Sequence, residues 1–566
     1  MRFSRRFLVF AIIIAATLFW KFNNWNDRYA AVETFRGAAL NEDVLYPLMS
    51  KNLNDSGQLK VYINDQLYQN TQAEAILDDG LNPAGSLEFI RTVLKGSAFL
   101  AGEDSAVVQI TNDSYKFKPI SYLGETYISL RELCSSFGYN YKYDKATYTV
   151  TLSYDKEPTL PKKYDLRSID RISVIRNQGS TSTCWACASL EALESSLLPY
   201  NPYLFSVDSM ITDNSFGLDE TVGGHYKMAL AYLLAWQGPI DEKAKDEADT
   251  NLLTGLTEAA KTPSVHVQEA HFYDSEDLDS IKWAVYQYGG VSASIYASVS
   301  SSNLNASASY NRKTNSYCYT GNNKPNHDVV IIGWDDKYSA DNFGVELPGD
   351  GAFICQNSWG TGFGDDGVFY VSYYDSNIGN QAVSFVKVDT KNTYSSIYQS
   401  DLCGWIGETG FNKPWAYGAN TFVADADQQI EAAGFYALGK DTSYQLYFVN
   451  DYENTSSLSN KELVAAGTLK QKGYYTIKFN SPKTVKAGES FAVVLYISTP
   501  DELRPLAIEY VSDARTAAVD INDGKGFIST NGLDWENIED RIQGNLCIKA
   551  YGNSVVEVFE GDEDSL

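Results

Sequence analysis

Cys184 stands where a thiol can act as a nucleophile. It follows a turn rich in Gly, Ser and Thr (177–183) and begins a run of helix-forming residues that stops at Pro199. The first turn of a helix has unpaired backbone N–H groups and the positive end of the helix dipole, and both stabilise a thiolate. Gln178 is a neutral donor that the turn could direct at a developing oxyanion. An isolated cysteine is more often a small buried core residue, so the interpretation depends on partners elsewhere in the chain.

Two later segments can supply those partners. His327 precedes an apolar run, 329–332, that indicates a buried strand. A second predicted strand, 351–357, delivers Asn357 into a Gly-rich loop. A catalytic thiol needs a base and a group that orients the base, and a histidine and an amide suit these two tasks.

Together these segments resemble the motifs of the papain-like cysteine proteases. Gln178 with 184–186 is similar to the nucleophile motif of that family, 326–334 to the motif of its base, and 357–364 to the motif that orients the base. The histidine lies 143 residues after the cysteine, within the family's spacing. The asparagine lies 173 residues after it, beyond that spacing, and we attribute the excess to a polar insert at 335–351.

The resemblance implies a role for each of four residues. Cys184 attacks the peptide carbonyl. His327 forms a thiolate–imidazolium pair with it and then protonates the leaving amine. Asn357 orients the imidazole, and Gln178 with the backbone N–H of Cys184 forms the oxyanion hole.

The same resemblance implies three substrate-side residues. Trp359 shields the bond between asparagine and histidine from water, and Gly223 and Gly224 bind the backbone of an extended substrate. Two positions depart from the family. Thr181 replaces a cysteine that often forms a disulfide, and Cys187 replaces an aromatic residue, which we interpret as a core position one helical turn after the nucleophile.

Composition limits the other classes of function. The net charge of −27 argues against binding to nucleic acid, whose phosphates require a basic surface. Seven cysteines are too few for a dense disulfide framework, and their odd number leaves at least one free thiol. No spacing of Cys or His suggests a structural metal site, so we expect no metal and no cofactor. The remaining three histidines have no motif around them and are expected to be structural: His225, His266 and His271.

The first 22 residues are typical of an export signal. Three arginines precede an uninterrupted apolar run of 14 residues, 7–20. This run has the length of a signal peptide, but no clear cleavage site follows it. Two outcomes therefore remain open, a cleaved signal peptide and a retained membrane anchor, and either one places the rest of the chain outside the cell.

The chain is long enough for three to five domains. Residues 23–57 are interpreted as a spacer. Residues 58–153 show strands, a strand-to-helix segment that closes at Gly138, and a hairpin. This module resembles the N-terminal stalk domain of copper amine oxidases, and it carries no cluster of metal ligands.

Residues 161–390 are expected to form the protease domain, with a helical half led by Cys184, a β-rich half that carries His327 and Asn357, and the cleft between them. Recurrent strands in 391–552 predict a β-sandwich that resembles the lectin-like domain of some exported bacterial papain-like proteases. The acidic end, 553–566, is expected to be a tail. Four aromatic residues of the sandwich could either stack on sugars or fill its core: Trp405, Trp415, Tyr417 and Trp535.

The sequence thus predicts a multidomain α+β protein, in which a two-lobed papain-like domain is flanked by a stalk-like α+β module and a C-terminal β-sandwich. Its predicted function is that of an exported cysteine endopeptidase at the cell surface or in the medium. Its partners would be protein or peptide substrates, with a carbohydrate or cell-surface ligand on the last domain. The alternative is a surface adhesin that retains a protease fold without using it.

Overall fold

The computed structural model describes residues 59–68, 74–122, 124–217, 221–243, 262–298 and 307–555. The predicted signal segment and most of the acidic tail lie outside these ranges. Among the described residues, no helix combines the length and the apolar character needed to cross a bilayer. The chain divides into two compact units, the first made chiefly of residues up to Glu157 and the second of residues from Pro158 onward.

The first unit is a small α+β module with its own core of buried residues such as Val61, Phe89 and Leu133. The helix Leu130–Phe137 is closed by Gly138, whose φ of 70° is a left-handed conformation that glycine adopts without strain, and this confirms the predicted helix stop. The elements of this unit are β1 (Lys60–Ile63), β2 (Gln66–Tyr68), β3 (Ala75–Leu77), β4 (Pro83–Ser86), α1 (Leu87–Thr92), β5 (Ser97–Gly102), β6 (Ser105–Ile110), β7 (Asp113–Phe117), β8 (Ile120–Tyr122), β9 (Glu125–Ser129), α2 (Leu130–Phe137), β10 (Asn140–Asp144) and β11 (Thr149–Ser153).

The second unit begins with a helical half. Its main helix is buried on nearly all sides, since every residue from Trp185 to Ser195 is buried. Such a helix packs in the interior of a large domain rather than on its surface. The elements here are β12 (Lys163–Asp165), a 3-10 turn (Leu166–Ile169), α3 (Cys184–Leu197), α4 (Val207–Thr212) and α5 (Tyr226–Leu234).

A mixed sheet forms the β-rich half. Its spatial order is β15-β16-β19-β18-β17-β14-β20-β13, with β12 paired to β17. Strand β17 is antiparallel to β18, with Val330 opposite Gln356, so the beginning of β17 and the end of β18 meet at one edge. The elements are β13 (His266–Tyr273), α6 (Leu278–Tyr288), β14 (Val291–Ile295), β15 (Tyr310–Asn311), β16 (Ser316–Tyr317), β17 (His327–Asp335), a 3-10 turn (Ala340–Asn342), β18 (Ala352–Gln356), β19 (Val368–Ser372) and β20 (Asn380–Asp389).

The C-terminal part is built mainly from strands, as predicted. One six-stranded sheet has the order β26-β25-β28-β23-β30-β31, and a large apolar cluster fills this part of the chain. The elements are β21 (Ser396–Tyr398), β22 (Gly407–Thr409), β23 (Trp415–Val423), β24 (Gln428–Ala437), β25 (Thr442–Val449), a 3-10 helix (Thr455–Asn460), β26 (Glu462–Leu469), β27 (Gly473–Val485), β28 (Ser490–Ser498), β29 (Leu506–Tyr510), a 3-10 turn (Ala514–Thr516), β30 (Gly526–Ser529), β31 (Glu536–Asn537), α7 (Ile538–Ile542), β32 (Gly544–Leu546) and β33 (Ile548–Ser554).

One sheet continues from the β-rich half into the C-terminal part, which the sequence did not predict. Strand β13 pairs with β27 through three consecutive positions, with Ala270 opposite Tyr474 at the centre. The order then continues β27-β24-β33-β21. The two parts of the second unit are therefore joined by backbone hydrogen bonds as well as by the chain.

Candidate active site

Cys184 is the first residue of α3, as the sequence predicted, and it is partly exposed. Burial first, and then the neighbouring charge of Asp328, raise the pKa of its thiol to about 12. Hydrogen bonds from the backbone N–H groups of Asp328, Trp185 and Cys184 itself oppose this rise. The free thiol is therefore protonated at neutral pH unless a base accepts its proton.

His327 is the first residue of β17 and is 6% exposed. Its Nε2 lies 2.8 Å from Oδ1 of Asn357, which leaves Nδ1 as the ring nitrogen available to a thiol. Burial lowers the pKa of this imidazole to about 4, and the bond with Asn357 acts in the opposite direction by favouring the charged ring. The structure thus brings together His327 and Asn357, the predicted base and the residue predicted to orient it.

Asn357 directly follows β18 and is almost completely buried. Its backbone N–H donates to the carbonyl of Gly367, and its Oδ1 also accepts the N–H of Ser358 at 2.8 Å. The ring of Trp359 stacks on His327 with 4.8 Å between centroids. The amide is therefore fixed on both sides, and an indole covers the imidazole, as expected for a residue that shields this bond.

Gln178 lies in the turn before α3 and is held by the loop that follows β18. Its backbone N–H donates to the carbonyl of Ser358, and its Oε1 accepts the Ser358 hydroxyl at 2.7 Å. Its Nε2 donates to the carbonyl of Thr181 at 2.8 Å. The sequence predicted Gln178 but missed Ser358, because a serine in a polar loop carries no signal of its own.

A buried ion pair fastens the same turn to α3. Arg176 donates to both carboxylate oxygens of Glu194, at 2.6 and 2.8 Å, and to the carbonyl of Phe205. Glu194 also accepts the N–H of Phe205 at 2.7 Å. Glu191, one turn earlier on the helix, is fully buried, and this raises the pKa of its carboxyl to about 8 against the opposing charge of Arg176. These contacts set the position of Gln178 relative to the helix that carries Cys184.

Gly223 and Gly224 lie just before α5 and differ in their surroundings. A Cβ on Gly224 would lie 2.5 Å from the ring of Trp185, so only glycine fits there. A Cβ on Gly223 would come no closer than 4.0 Å to its nearest neighbour, the Cβ of Ser182. The pair therefore lies against the beginning of the nucleophile helix, and its role in binding substrate stays a prediction.

The other cysteines and histidines occupy structural positions. Cys187 is buried, in line with its interpretation as a core residue, and every other cysteine except Cys184 is buried as well. His266 stacks on Trp236 at 3.8 Å, and His271 lies 2.7 Å from Glu269. Within the described ranges, no group of three or more His, Cys, Asp or Glu side chains could hold a metal ion.

The four candidate aromatic residues of the C-terminal part are not equivalent. Trp405 is 4% exposed and belongs to the same core cluster as the helical half, so it is not an open stacking platform. Tyr417 and Trp535 are half-buried and pack over a small apolar cluster on the six-stranded sheet. Trp415 is also partly exposed. The core interpretation holds for Trp405, and the other three residues retain accessible surface.

Comparison with known families agrees with this geometry. Residues 160–386 match the papain family cysteine protease model, residues 397–552 match the lectin-like domain, and residues 107–160 match the copper amine oxidase N-terminal domain.

Curated relatives match less than half of this chain. Mouse (Mus musculus) cathepsin S is 28% identical over 237 residues, which are 40% of this chain and 64% of the relative. Cathepsin L1 of Drosophila melanogaster is 26% identical over 264 residues, which are 45% of this chain and 66% of the relative. The chain thus matches just under two thirds of the length of these two relatives.

Two solved structures extend the match beyond the protease region. The clostridial cysteine protease Cwp84, in a form obtained after propeptide cleavage, has a TM-score of 0.60 at 24% identity and covers 69% of this chain and 99% of its own. The cysteine protease and lectin-like domains of Cwp84, described as a surface layer associated protein of Clostridium difficile, give 0.58 at 23% identity, covering 70% and 89%. At these identities the likeness shows the fold alone.

The predicted fold class, a multidomain α+β chain with a papain-like domain and a C-terminal β domain, is confirmed by these matches. Residues 160–386 are thus similar to the papain family cysteine proteases, and the chain combines this region with regions that match a lectin-like domain and the copper amine oxidase N-terminal domain.

Proposed function

We propose that this chain is an exported cysteine endopeptidase that cleaves peptide bonds through an acyl-enzyme on Cys184. The observation that carries the proposal is the hydrogen bond of 2.8 Å between His327 and Asn357. The same domain contains a buried helix whose first residue is Cys184. A histidine oriented by an amide is the arrangement that a catalytic thiol requires.

The first step is proton transfer from the Cys184 thiol to Nδ1 of His327. Burial opposes the charge of each group taken alone. Transfer of the proton creates two opposite charges at once, so each favours the other and the pair stays neutral overall. Backbone N–H groups at the beginning of α3 support the thiolate, and the amide of Asn357 supports the imidazolium.

The thiolate then attacks the carbonyl carbon of the scissile bond. The negative charge on the carbonyl oxygen would be stabilised by Nε2 of Gln178 and the backbone N–H of Cys184. In the free protein Nε2 donates to Thr181, so substrate has to compete for this donor. The imidazolium of His327 protonates the leaving amine, and the same ring activates water to hydrolyse the thioester.

The other domains suggest where this reaction takes place. Cwp84, which shares the fold, is described as a surface layer associated protein. The N-terminal segment of this chain has the charge and apolar pattern of an export signal. We therefore place the activity outside the cell, with a carbohydrate or cell-surface ligand on the lectin-like domain.

A reactive-site probe tests this function. A peptidyl epoxide is incubated with the full chain, and the modified residue is mapped by mass spectrometry, with Cys184→Ala as the control. We expect labelling confined to Cys184 and peptide hydrolysis that the control lacks. An absence of both labelling and hydrolysis in the intact protein would support the alternative, an adhesin that retains the protease fold. Such an adhesin would still bind its ligand after the Cys184→Ala change.

A further inference from the structure

Asp328 is a charged group at the active site that the proposed mechanism does not use. It follows His327 on β17 and is partly exposed. On the neighbouring strand β14, Ser294 lies directly opposite and donates its hydroxyl to Oδ1 of Asp328 at 2.5 Å. The same hydroxyl lies 3.3 Å from Oε1 of Gln381, on strand β20. Three strands thus contribute polar side chains to one place on the wall of the site.

Asp328 is the residue after the predicted base His327, and both its charge and its backbone N–H act on the pKa of the Cys184 thiol. Ser294 is buried, whereas Gln381 is exposed. Burial raises the pKa of the Asp328 carboxyl to about 6, so the group is charged at neutral pH. In the part of the chain that the structure describes, no lysine or arginine forms an ion pair with this carboxylate.

We propose that Asp328, with Ser294 and Gln381, forms a binding site for a cationic substrate side chain, that of Lys or Arg, at one of the two positions that precede the scissile bond. The proposal deepens the proposed peptidase function and rests on it. A carboxylate supported by a hydroxyl donor is a ligand for ammonium or guanidinium through charge-assisted hydrogen bonds. Gln381 supplies an amide oxygen as a second acceptor for the same N–H groups.

The competing explanation is that Asp328 only modulates the thiol. A charge that acts on Cys184 alone changes the reaction of every substrate by the same factor. A charge that binds a substrate side chain changes the preference between substrates. The ratio of kcat/KM for an Arg peptide to that for a Leu peptide separates these two effects, because any change in the thiol cancels in the ratio.

The experiment uses matched fluorogenic peptides with Arg, Lys, Leu or Glu at each of the two positions. The wild-type chain is compared with Asp328→Asn, whose amide oxygen can still accept from Ser294. The control variant is Asp336→Asn, which removes a carboxylate that is paired with Lys282. We expect a preference for Arg and Lys over Leu of about 10- to 100-fold at one position. That preference should disappear in Asp328→Asn and remain in Asp336→Asn.

A binding measurement separates failure of this proposal from failure of the proposed function. In the Cys184→Ala background, calorimetry compares an uncleaved Arg peptide with its Leu counterpart, with and without Asp328→Asn. Tighter binding of the Arg peptide that depends on Asp328 supports the site even if the wild-type chain hydrolyses nothing. Equal affinities, equal loss for all peptides, or a preference that persists in Asp328→Asn would overturn it.

Discussion

The hydroxyl of Ser358 donates to Oε1 of Gln178 at 2.7 Å, and this bond ties the loop after β18 to the turn before α3. A glutamine amide can present either its oxygen or its nitrogen to an oxyanion, and only the nitrogen stabilises negative charge. Because the hydroxyl of Ser358 donates to the amide oxygen of Gln178, the amide nitrogen Nε2 points away from Ser358 and donates to the carbonyl of Thr181. The residue next to the orienting asparagine therefore also orients the predicted oxyanion donor.

Ser358→Ala is expected to lower kcat/KM by roughly 10-fold, less than the roughly 100- to 1000-fold loss expected when the donor itself is removed in Gln178→Ala. Ser358→Thr, which keeps the hydroxyl, is the control and should retain most of the activity. If Ser358 acts through Gln178, the double variant is no slower than Gln178→Ala. Additive losses in steady-state kinetics would contradict this relationship.

Asn357→Ala should shift the basic limb of the pH–rate profile to lower pH. The bond with Asn357 raises the pKa of His327, so its loss makes the imidazolium lose its proton at lower pH. The acid limb, which reports formation of the ion pair, should move less. The measurement is kcat/KM between pH 4 and 10 for the two proteins, and an unshifted basic limb in the variant would exclude this role of the amide.

Arg176→Met should destabilise the second unit by about 3 to 5 kcal/mol, because it leaves the carboxylate of Glu194 buried without its partner. Glu194 is 1% exposed, so water cannot replace the lost charge. The double variant Arg176→Met/Glu194→Met should recover a large part of the loss in chemical denaturation. A single variant as stable as the wild type would show that the ion pair is not needed to hold this turn.

Gly473→Ala should weaken the pairing between β13 and β27. A Cβ at this position would lie 2.3 Å from the carbonyl oxygen of Ala270, a backbone atom that cannot move without breaking the ladder. We expect separate unfolding of the protease and lectin-like parts in calorimetry, where the wild type gives a single transition for both. Gly102→Ala, with open space around its Cβ, is the control and should leave the transition unchanged.

The elements that position the candidate site residues were predictable because these residues lie in motifs with local signals. A small-residue turn before a helix marks Cys184, and apolar runs mark the strands that position His327 and Asn357. These elements are confirmed by the structure. The catalytic roles of the residues remain to be measured by the probe experiment.

The parts that were missed depend on contacts between distant segments. Asp328 and Ser294 are cross-strand neighbours only because β17 pairs with β14. The pairing of β13 with β27 joins residues about 200 positions apart and has no pattern in either strand. The sequence left Trp405 open between stacking on sugars and filling the core, and only its packing in the core cluster of the helical half decides for the core. Register and domain contact follow from tertiary packing, which a single sequence does not display.

The continuous sheet would limit the reach of the proposed protease. A protease joined to a binding domain by a loose linker can cut anywhere within a sphere around its anchor. Here the pairing of Ala270 with Tyr474 joins the lectin-like part to the sheet that carries His327, and it would replace that freedom with a fixed offset. A target bound by the lectin-like domain would then be cut at a set distance from its point of attachment.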